Sequence, residues 1–228
     1  MPVNTEAYLS LVQELNKKNV TLVAVSKTKP VEDILALYNL GHRDFGENYV
    51  QELLEKAGQL PKDIRWHFIG HLQSNKVKLI IPVVQLIQGV DSLKLLKEIN
   101  KQAAAAGKTV DCLLQVHIAS EDSKFGLDEN ELNEIMDQVG EFENVNILGL
   151  MGMASFTNDL DIVKIEFRRL KTIFDKYAQL PTGSRGKTKN LKLKTCSIGM
   201  SADYKTAIEE GSTMVRIGSL LFGERATN

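Results

Sequence analysis

Two cysteines and four histidines are all that 228 residues contain of the usual metal and disulfide chemistry. Cys112 and Cys196 lie in apolar, β-rich runs, so they read as buried packing with no disulfide framework. His42, His67, His71 and His117 lack metal-ligand spacing, which argues against a bound metal. Excess charge is missing too: 28 Lys and Arg face 29 Asp and Glu for a formal net charge of −1. That balance provides no broad field for nucleic acid or an anionic membrane. No apolar stretch approaches the ~20 residues needed to span a bilayer. The opening Met-Pro-Val-Asn-Thr-Glu-Ala-Tyr lacks the basic region and apolar run of a signal peptide, so the expected compartment is the cytoplasm. What remains is an ordinary globular composition, 43% hydrophobic and 25% charged. A chain this long buries roughly three-quarters of its unfolded surface and needs no covalent or metal staple.

Apolar runs that read as buried strands alternate with segments of helical period. Residues 5–17 form an opening helix, and Val20-Thr-Leu-Val-Ala-Val25 is a β-branched strand followed by a helix over Val31 to Leu40. A short second strand ends near Phe45 and a helix starts around Glu47. Strands three and four are placed at Trp66–Ile69 and near Val83–Ile87. Asp91 opens a helix with Leu93, Leu96 and Ile99 on one face, closed by Gly107. Val110–Ile118 is the longest strand candidate. Asp128 and Glu131 have capping-box spacing ahead of a Leu132, Ile135, Met136, Val139 stripe. A sixth strand runs near Ile147 to Met151, and Leu160, Val163, Phe167, Leu170 and Phe174 repeat at helical spacing. The pattern closes with a strand near Leu193–Ser197, a helix over Ala202–Glu210 and a strand over Met214–Ile217. Eight strands alternating with helices favour a closed (β/α)8 TIM-type barrel, one domain over residues 1–228, rather than an open sheet. The turn-rich basic stretch 181–190 reads as a solvated loop.

In such a barrel the functional residues sit at the C-terminal ends of the strands, and phosphate is often held after strands seven and eight. Ser197-Ile-Gly-Met-Ser201 follows strand seven, and Arg216-Ile-Gly-Ser219 follows strand eight. Each pairs a glycine, which admits close backbone approach, with a hydroxyl. Together they suit one phosphate cup. Lys27 ends the first strand and points at the same mouth. It is either a lysine snorkelling to solvent or an amine made reactive by a lowered pKa. A lysine facing a paired phosphate cup is what a pyridoxal phosphate site requires. Asn48, in Phe45-Gly-Glu-Asn48, either lines this pocket or caps a helix. Gly70-His-Leu-Gln-Ser-Asn75 is equally ambiguous, and Ser123-Lys-Phe-Gly126 brings Lys124 toward the mouth or leaves it on the surface.

At these residues the chain resembles the pyridoxal phosphate homeostasis protein family. The matching stretches are Ala24-Val-Ser-Lys-Thr-Lys-Pro30, Phe45-Gly-Glu-Asn-Tyr-Val-Gln-Glu52, Trp66-His-Phe-Ile-Gly70, Leu72-Gln-Ser-Asn-Lys76, Gly149-Leu-Met151, Gly199-Met-Ser201 and Gly211-Ser-Thr-Met-Val-Arg-Ile-Gly218. They run in the family's order over nearly the whole chain. His71 stands where many relatives have proline. The family's barrel is similar to the N-terminal domain of fold-type III alanine racemases. The resemblance implies a Schiff base between pyridoxal 5′-phosphate and Lys27. It also implies that Ser201, Gly218 and Ser219 hold the phosphate, and that Arg216 faces the pyridine nitrogen or helps with the phosphate.

An arginine at the pyridine nitrogen stays protonated and donates, which keeps the ring unprotonated and weak as an electron sink. Racemases tolerate this because two bases flank the substrate, one a tyrosine from an additional domain. Ten residues follow Gly218, so the expectation is a cofactor site without that second base. A non-enzymatic carrier with no catalytic residue is therefore favoured, a monomer passing cofactor to apo-enzymes. Lys29 and Lys124 are candidates for relaying the aldehyde. The alternatives are a racemase-like pyridoxal enzyme using Lys27 alone, and a sugar-phosphate aldolase or isomerase of the same barrel type.

Overall fold

The computed structural model describes residues 3–120, 125–179 and 191–223. The basic stretch 181–190 and Lys124 lie outside them. Eight parallel strands close a barrel in sequence order. They are β1 (Thr21–Val25), β2 (Asp44–Glu47), β3 (Arg65–Phe68), β4 (Val84–Val90), β5 (Val110–Gln115), β6 (Val145–Met151), β7 (Leu191–Ser197) and β8 (Met214–Ile217). The seam between last and first strands pairs Thr21 with Met214 and Val23 with Arg216. The helices are α1 (Thr5–Lys17), α2 (Val31–Asn39), α3 (Val50–Gln59), α4 (Val77–Ile80), α5 (Leu93–Ala105), α6 (Glu129–Gln138), α7 (Leu160–Ala178), α8 (Tyr204–Glu209) and α9 (Ser219–Phe222).

Local chemistry starts and stops these elements. Asn4 caps α1, Ser92 caps α5, and Asp159 caps α7 by accepting from amides of the first turn. Asp128 and Glu131 form the expected reciprocal capping box on α6. Several boundaries shift from the sequence reading. Strand β2 runs on through Gly46 and Glu47, and α3 begins only at Val50. Strand β5 stops at Gln115, so His117 lies beyond it rather than packing as a strand residue. Leu160 heads α7 but is 56% exposed, whereas Val163, Phe167, Leu170 and Phe174 are buried. The short α9 has no counterpart in the sequence reading.

Alternation along the strands sorts side chains into two layers. Leu22, Ala24, Phe45, Phe68, Ile87, Cys112 and Val215 face outward into the main core between barrel and helices. Val23, Leu86, Leu113, Met151 and Met214 form a separate cluster inside the barrel. Gly46 is an inward position where a Cβ would sit 3.0 Å from Val23 and 3.1 Å from Ile69, so the narrow interior excludes a side chain there. Fully burying a side chain such as Phe45 or Phe68 contributes roughly 1.5–3 kcal/mol. The outer layer therefore carries the stability and leaves the interior and mouth available for polar groups.

Candidate functional site

A cavity of about 430 Å³ opens at the C-terminal mouth of the barrel. Lys27, Asn48, Ser201, Arg216, Gly218 and Ser219, widely separated in the chain, all line it. Three of the described lining residues are cationic, Lys27, Lys29 and Arg216, and none is Asp or Glu. Such a wall attracts an anion. Ser201 Oγ accepts the Gly218 N–H at 3.2 Å, tying the turn after β7 to the turn after β8. As its oxygen is the acceptor, its own hydrogen is left to donate.

Arg216 is 4% exposed and rises into the mouth from β8. Its Nη1 donates to the Ser197 carbonyl at 2.8 Å and to Ser197 Oγ at 2.7 Å, and its Nη2 donates to the Gly152 carbonyl at 2.9 Å. Burial pulls the guanidinium down to about 10, with Asp203 acting in the opposite sense, so it stays charged at neutral pH. Among the described residues its hydrogen-bond partners are carbonyls and a hydroxyl, which orient the charge without neutralising it.

Asn48 does not cap α3. The capping position is Tyr49, and no side chain closes that helix start. Instead, Asn48 Oδ1 is buried at the cavity wall without a hydrogen-bond partner among the described residues. A buried polar atom left unpaired costs about 1–3 kcal/mol, so a ligand group is its natural complement. Lys29 also lines the cavity, but its Nζ donates to the carbonyls of Phe222 and Gly223 at 2.7 and 3.2 Å. It thereby satisfies the C-terminal end of α9 and closes the β8–β1 seam, an anchoring role that the sequence reading missed.

Behind Lys27 lies a buried ionic cluster that sequence reasoning also missed. Lys56 Nζ on α3 donates to Glu47 Oε1 at 2.8 Å, Glu52 Oε1 at 2.7 Å and the Ser26 carbonyl at 2.7 Å. Ser26 Oγ donates to Glu47 Oε1 at 2.6 Å. Glu47 Oε2 is buried without a partner among the described residues, and burial pushes this carboxyl above its ordinary range despite Lys56. The sequence signal was partial: Glu52 and Lys56 stand one helical turn apart on α3, while Glu47 reaches them from the end of β2.

Across the mouth, Glu166 of α7 accepts from the amides and hydroxyls of both Ser120 and Ser155, at 2.6 to 2.9 Å. It fastens the loop after β5 to the loop after β6. Burial raises this carboxyl, but the hydrogen bonds from Ser155 and Ser120 outweigh it and hold the group below its usual range.

A polar column descends from Arg216 through the barrel interior. Ser197 Oγ donates to Gln88 Oε1 at 2.8 Å, and Gln88 Nε2 meets His67 Nδ1 at 3.0 Å. His67 Nε2 meets Asp44 Oδ1 at 3.1 Å, and Asp44 pairs with Arg65 at the far rim. Burial works against the Asp44 carboxylate, but Arg65 and His67 hold it well below the usual carboxylate range. The far rim has its own opening of about 400 Å³, lined by none of the six expected site residues.

Residues 5–226 match the alanine racemase N-terminal domain model. A pyridoxal phosphate homeostasis protein of Pasteurella multocida is 40% identical over 210 residues, covering 90% of this chain and 87% of that one. A human protein of the same name is 39% identical over 219 residues, covering 90% and 76%. Among solved structures, PipY of Synechococcus elongatus with pyridoxal phosphate bound superposes with a TM-score of 0.85 at 33% identity, covering 96% of this chain and 99% of PipY. A Clostridium difficile alanine racemase shares the fold, with a TM-score of 0.76 at 16% identity over 60% of its length.

Proposed function

Because the chain belongs to the alanine racemase N-terminal domain family, and within it to the pyridoxal phosphate homeostasis proteins, we propose that it binds pyridoxal 5′-phosphate at the barrel mouth and serves its homeostasis and delivery without turning over a substrate. When bound, the cofactor supplies an aldehyde that condenses with amines and a ring that withdraws electrons. The observation that carries this reading is a mouth cavity joining an amine, two hydroxyl-bearing turns and a buried guanidinium, with no carboxylate among the described lining residues. Lys27 is the amine that carries the cofactor covalently. Ser201, Gly218 and Ser219 take the phosphate, for which a hydroxyl and backbone amides at two adjacent turns are suited. Arg216 presents a fixed donor to the ring nitrogen and discourages its protonation. Asn48 supplies an otherwise unmatched polar atom to the ligand. One chain provides all six residues, consistent with a monomer that hands cofactor to apo-enzymes.

The racemase-like alternative draws on the shared fold. Such exchange needs a proton donor and acceptor on opposite faces of the substrate carbon. The described ionisable lining residues are Lys27, Lys29 and Arg216, and Lys29 Nζ donates to two carbonyls. General acid–base assistance is typically worth 10²–10⁴-fold, so its loss leaves a trace rate.

The test is the visible absorption of freshly purified protein. A band that borohydride bleaches, with the reduced label mapped to Lys27 and lost in Lys27→Ala, is the expected result. A label on Lys29 or Lys124 overturns the assignment. Incubation with L- and D-amino acids in deuterated water reads the second question, where Cα exchange at roughly 1 s⁻¹ or faster makes the protein an enzyme.

A further inference from the structure

Thr28 has a backbone φ of +63°. For a β-branched residue this left-handed conformation is unfavourable and needs support from its surroundings. It lies at the third position of a turn closed by the Lys29 N–H donating to the Ser26 carbonyl at 3.0 Å. Lys27 is the second residue of that turn, so the direction of its side chain depends on the conformation Thr28 adopts. A positive φ at the third position is where glycine is normally found. Here it is threonine, and it is exposed, so packing does not explain its backbone.

Side chains from α3 hold the turn instead. The Thr28 N–H donates to Glu52 Oε1 at 2.5 Å, and the same oxygen accepts from Lys56 Nζ at 2.7 Å. Lys56 Nζ also donates to the Ser26 carbonyl at 2.7 Å, the oxygen that closes the turn. Ser26 is fixed from the other side by its N–H to the Gly46 carbonyl and its Oγ to Glu47. The residues before and after Lys27 are thus both clamped by one buried ionic cluster.

We propose that Glu52, acting with Lys56, is a positioning residue for Lys27: it holds Thr28 in a left-handed conformation that aims the lysine amine into the mouth cavity. This rests on the reading of Lys27 as the cofactor amine. A relaxed turn would let residue 28 move to negative φ and swing Lys27 away from the cup formed after β7 and β8.

The experiment compares Glu52→Ala in two backgrounds, native and Thr28→Gly, because glycine occupies positive φ without support. In the native background, affinity for pyridoxal 5′-phosphate falls roughly tenfold, the equivalent of the strain to be held. In the Thr28→Gly background the same substitution costs less than about twofold. A merely structural role for Glu52 would not be rescued by glycine at residue 28. Equal losses in both backgrounds, or none in the native one, overturn the proposal. A second readout works on cofactor-free protein: amide exchange at Lys29, whose N–H closes the turn, speeds up in Glu52→Ala and slows again when Thr28→Gly is added. If Lys27→Ala keeps the borohydride label while this exchange pattern holds, the cofactor reading has failed and the clamp has not. If Lys27→Ala loses the label and the exchange pattern is absent, the clamp has failed and the cofactor reading has not.

Discussion

The two walls of the mouth solve the same problem with opposite chemistry. On the β1–β2 side the loop bearing Lys27 is held by ions, buried Glu47 and half-buried Glu52 around Lys56. On the β5–β8 side the loops are held by neutral donors: serine hydroxyls and amides on Glu166, and the Gly218 amide on Ser201. Both walls bury a glutamate, yet Glu47 is pushed up and Glu166 held down. Both side chains are nearly inaccessible, but at Glu47 burial outweighs the partners, while at Glu166 the hydrogen bonds from Ser155 and Ser120 outweigh burial. Glu166 has donors on both oxygens, whereas Glu47 keeps one oxygen unmatched. The loop that bears Lys27 is tied down by ion pairs, and the loops facing it are tied down by neutral donors.

The sharpest break in this contrast is Lys56→Met. Removing one partner of a buried ion pair leaves uncompensated charge and costs about 3–5 kcal/mol, read by urea denaturation. Glu47 sets the pH sign. Its folded pKa lies above the unfolded one, so its contribution is fullest below the ordinary carboxylate range and is lost as pH rises through the folded value. The Lys56→Met deficit should therefore be larger at pH 8 than at pH 5. A loss under about 1 kcal/mol at both would make the two walls alike.

Glu166→Gln is the matching test on the other side. It replaces one acceptor oxygen by a donor facing a donor, at about 1.5–3 kcal/mol. Here the folded pKa is depressed, so the native contribution is present above the unfolded value and disappears as pH falls through the folded one. Acid titration should then narrow the gap between Glu166→Gln and native protein. A gap that widens toward low pH contradicts the neutral-donor account.

The smallest effect belongs to the cup. Ser201→Ala and Ser219→Ala should each weaken pyridoxal 5′-phosphate binding by roughly tenfold or somewhat more, with thermal stability nearly unchanged, because each removes one hydrogen bond to a charged group. Pyridoxal without its phosphate should bind far more weakly than the phosphorylated form. Equal affinities for the two in a binding titration would remove the distinction between the walls.

The outer architecture was legible because period and punctuation agreed. Residues 5–17 and Met214–Ile217 coincide with α1 and β8 to the residue, and the Asp128–Glu131 box stands where its spacing put it. The mouth residues were legible because barrel chemistry gathers at strand ends, and Lys27, Ser201, Arg216, Gly218 and Ser219 all border one cavity. What failed has a common cause. Glu47 was read as the start of a helix, although it ends a strand and faces α3, because a polar residue after glycine looks like a helix start. His67 stood inside a strand candidate without a role, Ser197 was named only as the start of the turn after strand seven, and Gln88 was not singled out. A lone polar residue in an apolar run does not reveal that another waits at the same height on a strand far along the chain. Closure of the barrel makes those pairs, and closure is not written locally.

The column below Arg216 has a direction. A guanidinium has only hydrogens to give, so Ser197 Oγ receives and passes its own hydrogen on to Gln88. The Gln88 oxygen is then spoken for, and its nitrogen faces His67 Nδ1. That ring atom must accept, which leaves the imidazole hydrogen on Nε2 pointing at Asp44. Every hydrogen from the mouth to the far rim is thereby oriented the same way, and the tautomer of a histidine on β3 is dictated by an arginine on β8. Nitrogen-15 chemical shifts of the His67 ring report that orientation directly, a bearing on the cup taken from the opposite end of the barrel.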